Sequence, residues 1–122
     1  MTRIVAATVL LLWPVLVRAQ GGAVVDHHQH LFSPALAARM SPPAPAPQTP
    51  PVTAADLIAL LDAAGIRRAV VLSTGYIFEK PSRKIENAAA RLRADHDWTS
   101  QQVAQYPGRL IGFCGINPLK DY

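Results

Sequence analysis

The chain has 122 residues, half of them apolar, with 12 lysines and arginines against 8 acids for a formal charge of +4. That is room for one globular unit or a piece of a larger one. The basic residues are scattered and not interleaved with stacking aromatics, which argues against a nucleic-acid partner, and a single cysteine rules out an internal disulfide framework.

Met1-Thr2-Arg3 is a short basic start, residues 4–17 form an almost unbroken apolar run, and Val17-Arg18-Ala19 puts aliphatic or small residues at the −3 and −1 positions of a cleavage site. This order predicts a secretory signal peptide over residues 1–19 and an exported protein, periplasmic or secreted, whose processed chain runs from Gln20. The run of 14 residues is interrupted by Pro14 and is shorter than the roughly 20 residues a bilayer requires, so no stable membrane span is expected. Without Arg3 and Arg18 the balance is 10 basic to 8 acidic residues, a net charge of +2 that selects no partner.

Next comes Val24-Val25-Asp26-His27-His28-Gln29-His30, with three of the four histidines. The apolar start predicts a first strand. Strand side chains alternate, so Asp26, His28 and His30 are expected on one side, with His27 and Gln29 on the other. Two neutral imidazoles on one side of a strand end are half of a divalent metal site, because zinc and similar ions take three or four such donors. The competing reading is a solvated, histidine-rich loop start. Asp26 is expected to orient the site without ligating, by accepting from a ring N–H or a backbone amide.

Residues 31–52 are expected to form a long loop, since residues 41–51 hold six prolines and cannot enter a helix or a central strand. A loop of that length after a first strand often shapes a binding site, with Phe32 and Met40 available to line it. Thr53-Ala54-Ala55-Asp56 has the form of a capping box. Leu57, Leu60, Leu61 and Ala64 then recur at helical spacing, and Gly65 is placed to close the helix. Ala69-Val70-Val71-Leu72 reads as a second strand, apolar on both faces and ending at Ser73.

A second helix is expected from about Pro81 to Gln105, unbroken or with a break around Asp95 to Asp97, with an inward stripe of Ile85, Ala89, Leu92, His96, Thr99, Val103 and Tyr106. His96 on that stripe reads as a structural residue. Pro107-Gly108 stops the helix, and residues 109–116 read as a third buried strand ending at Asn117, with Cys114 a small buried residue on it. Ser73 and Asn117, at the ends of the second and third strands, are candidates to line the same mouth as the histidines. The order strand, helix, strand, helix, strand predicts a parallel sheet. Both a doubly wound sheet and a (β/α)8 barrel have this order and bind ligands at the carboxyl ends of their strands. No Gly-x-Gly-x-x-Gly follows the first strand.

Asp26-x-His28-x-His30 at the end of a first strand resembles the signature of the metal-dependent amidohydrolase superfamily. Residues 61–70, Asp97-Trp98 and residues 106–113 resemble its amidohydrolase-related branch of hydrolases, lactonases and decarboxylases. This resemblance implies a (β/α)8 TIM-type barrel of which residues 20–122 are the N-terminal βαβαβ portion. It implies a divalent metal cofactor, usually Zn2+, held here by His28 and His30, and a small-molecule substrate with a C–N or C–O bond (amide, ester or lactone) opened by a metal-activated water. Decarboxylation of an aromatic acid is the alternative within the family, and a non-catalytic exported metal binder the alternative outside it. The family's other ligands and its catalytic base lie on later strands, so this portion is expected to be inactive alone. It is also expected to leave Val70, Leu72, Ile111 and Phe113 uncovered, favouring self-association.

Overall fold

The computed structural model describes residues 24–80 and 85–119; the signal-peptide reading of residues 1–19 lies outside them. Among the described residues the elements follow in the order β1 (Val25–Gln29), α1 (Pro34–Met40), α2 (Ala54–Ala63), β2 (Arg68–Leu72), a 3-10 turn (Gly75–Glu79), α3 (Ala88–Ala104) and β3 (Leu110–Phe113). The strands form one parallel sheet in the order β1-β2-β3. The architecture is a small mixed α/β fold compatible with a partial βαβαβ unit.

The expected loop over residues 31–52 contains a helix. Ser33 caps α1 by accepting from the Leu36 amide at 3.2 Å, and Pro34 occupies the first turn, where its missing N–H costs nothing. Leu36 and Ala37 are buried. The proline-rich remainder returns as a closed loop, because Phe32 and Val52 pair through reciprocal backbone bonds of 3.0 Å. Phe32 is half-buried there and Met40 is exposed.

Thr53 and Asp56 form the capping box of α2, with the Asp56 amide donating to the Thr53 hydroxyl and the Thr53 amide donating to the Asp56 carboxylate. Bonds from the Thr53 hydroxyl first, then its amide, hold the Asp56 carboxyl below the ordinary range. Gly65, at φ +69, follows the helix in the left-handed conformation its position predicts.

The core lies between one face of the sheet and the helices, where Leu57 and Leu61 meet Ala69, Val71 and Leu110. Leu60 and Ala64, expected on that stripe, face solvent. Leu60 is 66% exposed, because a helix on a narrow sheet buries only the arc centred on Leu57 and Leu61.

On the opposite face Val70 and Leu72 are half-buried while Ile111 and Phe113 are 44% and 56% exposed. β3 is therefore buried only at Leu110. Alternation turns Gly112 toward Val103 of α3 and its neighbours away from it. Cys114, expected on a buried strand, lies past the end of β3 and is exposed. α3 begins at Ala88, after Asn87 at φ 56, which is later than expected; residues 81–84 lie outside the described residues and Ile85 precedes the helix. Its buried positions are Leu92, Asp95 and Thr99, and Ala89 is exposed.

Truncating Leu61 to alanine should cost about 2–5 kcal/mol of unfolding free energy, the range for a buried leucine. The same change at Leu60 should stay within about 0.5 kcal/mol. Urea titrations of the two variants would check this, and equal losses would refute the assigned face.

Candidate metal centre

The histidines lie where the pairing of β1 with β2 slips. Asp26 is opposite Ala69 and Gln29 opposite Val71, so three steps along β1 match two along β2. The extra residue changes the expected alternation, because each added residue exchanges the two sides of a strand. Asp26 is paired with Gln29, whose side-chain amide donates to Oδ2 at 2.6 Å. Oδ1 accepts from the His28 backbone amide at 3.0 Å. Asp26 thus holds the strand backbone under the histidines. The His28 amide bond first, then the Gln29 bond, keeps the Asp26 carboxyl below its ordinary range.

His28 and His30 converge. Their Nε2 atoms are 3.0 Å apart, with the rings edge to face at a centroid distance of 4.8 Å. Nδ1 of His30 lies 2.8 Å from the carbonyl oxygen of Leu72, at the end of β2. A carbonyl only accepts, so Nδ1 carries a proton, which in the neutral tautomer leaves the lone pair at Nε2. Nε2–H of His28 then donates to that lone pair.

This is the arrangement that suits a metal-binding histidine, whose second nitrogen is anchored to a backbone carbonyl. Two nitrogens bound about 2.0–2.1 Å from a tetrahedral ion stand roughly 3.4 Å apart, close to the spacing found here. His28 fits as the second donor once its proton moves from Nε2 to Nδ1, which frees a lone pair beside that of His30. Among the described residues no group of three or more His, Cys, Asp or Glu side chains is gathered to hold a metal. A catalytic zinc site takes three protein ligands.

The other candidates have hydrogen bonds of their own. Ser73 is buried, and its hydroxyl donates to Asp95 Oδ2 at 3.1 Å and accepts from the Gly75 amide at 3.2 Å. Asn117 caps a local turn, accepting from the Leu119 amide at 3.1 Å, and borders an open cavity of about 390 Å³ beside Tyr76 and Ile116. His27 is exposed. His96 tethers α3 to the segment after β3, with Nε2 3.0 Å from the Gly115 carbonyl.

Asp95 escaped the sequence reading. It is 4% exposed, and its Oδ1 accepts from the Ser33 hydroxyl at 2.6 Å. The signal was its spacing with Leu92 and Thr99, three residues after one and four before the other, which puts a carboxylate on the packing side of α3.

No protein-family model matches this chain, and neither the curated proteins nor the solved structures contain a match.

Following the His28 backbone amide by NMR as acid is added should give a midpoint below the ordinary aspartate value of about 3.9. The Asp26 carboxyl is held low in the fold, so its contribution to stability is present above the unfolded value and is lost as pH falls through the folded one. In Asp26→Asn that transition should vanish.

Proposed function

We propose that the chain is the N-terminal portion of an exported, (β/α)8-type metal-dependent hydrolase, and that His28 and His30 supply two ligands of its divalent metal, Zn2+ in the first instance. The reaction is hydrolysis of a C–N or C–O bond in an amide, ester or lactone. The observation that supports this reading is the convergence of the two Nε2 atoms at 3.0 Å with His30 anchored through Nδ1 to the Leu72 carbonyl. A bound divalent ion supplies Lewis-acid polarisation of the carbonyl and lowers the pKa of an attacking water.

The chain's own residues do the holding. Leu72 fixes the His30 tautomer, and Asp26 fixes the backbone on which His28 stands. The parallel order β1-β2-β3 supports a barrel portion but is shared with one half of a doubly wound sheet. A flavodoxin-like order, with the first strand between the second and third, does not match.

By calorimetry the 122-residue chain should bind Zn2+, and His28→Ala or His30→Ala should weaken it at least tenfold; unchanged affinity would remove the pair from the site. Two protein donors fall short of a catalytic set, so the chain alone should turn over neither activated esters nor lactones. Fused ahead of the remaining strands of an amidohydrolase-type barrel, it should support zinc-dependent hydrolysis that is lost in both alanine variants. Release of carbon dioxide from aromatic acids by that fusion would favour the decarboxylase reading instead, and zinc uptake with neither reaction would favour a metal-binding role.

A further inference from the structure

The carboxylate of Asp95 lies at the junction of three segments that are far apart in sequence. From the middle of α3 it reaches the Ser33 hydroxyl, 2.6 Å from Oδ1 and 62 residues away, and the Ser73 hydroxyl, 3.1 Å from Oδ2 and 22 residues away. All three residues are buried, with exposures of 4%, 4% and 2%. Neither serine has its proton free for another use. Ser33 already accepts from the Leu36 amide and Ser73 from the Gly75 amide, so each hydroxyl must donate to the carboxylate.

These serines follow the two halves of one contact. Ser33 comes three residues after His30, joined to it by the buried Leu31, and Ser73 comes directly after Leu72. The bond between His30 Nδ1 and the Leu72 carbonyl is the one that sets the tautomer of His30. Asp95 therefore ties the chain leaving β1 to the chain leaving β2 just beyond the point where that bond crosses between them.

Toward the turn after β2 the packing around the carboxylate is close. A Cβ added at Gly75 would stand 2.9 Å from Leu92 Cδ1 and 3.3 Å from Asp95 Oδ2, so the 3-10 turn is packed directly onto this part of α3. A Cβ at Gly115 would come within 2.7 Å of the Ser73 carbonyl oxygen, so the segment after β3 closes against the same residue. Ser73, at the end of β2, is thus bonded to Asp95 and packed against the segment after β3.

We propose that Asp95 is a positioning residue for His30. By receiving the Ser33 and Ser73 hydroxyls it holds the ends of β1 and β2 at the separation that keeps His30 Nδ1 on the Leu72 carbonyl and directs His30 Nε2 toward His28. This role rests on the reading of the two histidines as metal ligands for its consequence, but its geometric part is testable in the metal-free chain. Outer partners of ligating histidines typically change metal affinity by about 10- to 100-fold when removed.

The test uses the full chain and two readouts: the His30 tautomer from long-range proton–nitrogen NMR without metal, and Zn2+ affinity by calorimetry. Ser73→Ala and Asp95→Asn should convert the single Nδ1-protonated form of His30 into a tautomer mixture and weaken Zn2+ binding about 10- to 100-fold. Thr53→Ala, which loosens the fold through the cap of α2, should leave both readouts unchanged despite a lower Tm. If Asp95→Asn does not fold, Ser73→Ala and Ser33→Ala carry the decision. A tautomer preserved in the serine variants, or disturbed equally in Thr53→Ala, would overturn the proposal. Failure of the unmodified chain to bind Zn2+ would instead count against the metal reading, with the tautomer comparison still deciding the role of Asp95.

Discussion

A carboxylate withdrawn from water has to find donors inside the protein, because an unmet buried acceptor costs more than a typical hydrogen bond returns. Asp95 meets that requirement with two serine hydroxyls drawn from different parts of the chain. Hydrophobic contact alone would let the ends of β1 and β2 slide, since apolar packing has little directional preference. The hydroxyl-to-carboxylate bonds add direction. They place the loop that leaves the first strand, the turn that leaves the second and the middle of α3 in one fixed relation, and the histidine pair lies just above that junction.

Among the described residues, one side of the sheet carries the core, and the other carries the half-buried Val70 and Leu72 and the exposed Ile111 and Phe113. Ala69, Val71 and Leu110 are buried against α2 and α3, whereas Ile111 and Phe113 are open. A sheet whose strands are apolar on both faces is built to be covered twice. The ion pair between Arg109 and Asp62 joins the start of β3 to α2, but both partners are well exposed and such pairs contribute little. What orders the unit is the core on the helical side together with the Asp95 junction.

The elements with strong local signals were legible from the residues. The capping box at Thr53 and Asp56, the glycine closing α2, the apolar second strand and the parallel order follow from propensity, spacing and connection rules. α1 was hidden because the prolines of residues 42–51 dominate the composition of its neighbourhood, although Ser33-Pro34 is a clear helix start. Leu60 was misplaced because it satisfies the helical period as well as Leu57 does; only the width of the sheet decides between them. In the site, the spacing marked His28 and His30 as a pair, but the slip between Asp26 and Gln29 breaks the regular alternation on which that expectation rested, and the partnership of Asp26 with Gln29 gave no signal. The Leu72 carbonyl could not be foreseen at all, since backbone acceptors carry no residue identity.

The slip between β1 and β2 changes what kind of mutation the histidine pair can survive. A regular strand fixes sidedness by parity alone, and here one supernumerary residue between Asp26 and Gln29 reverses that parity before His30 is reached. Substitutions at His27 preserve the count and leave the later residues where they are. Deleting one residue between Asp26 and Gln29 would restore one-to-one pairing with Gln29 still opposite Val71, so His30 would keep its register at the end of β2 while the backbone that Asp26 braces under His28 is redrawn. The extra residue thus separates two tasks, the bracing of the backbone by Asp26 before the slip and the docking of His30 on β2 after it, and a change of length would disturb the first while sparing the second.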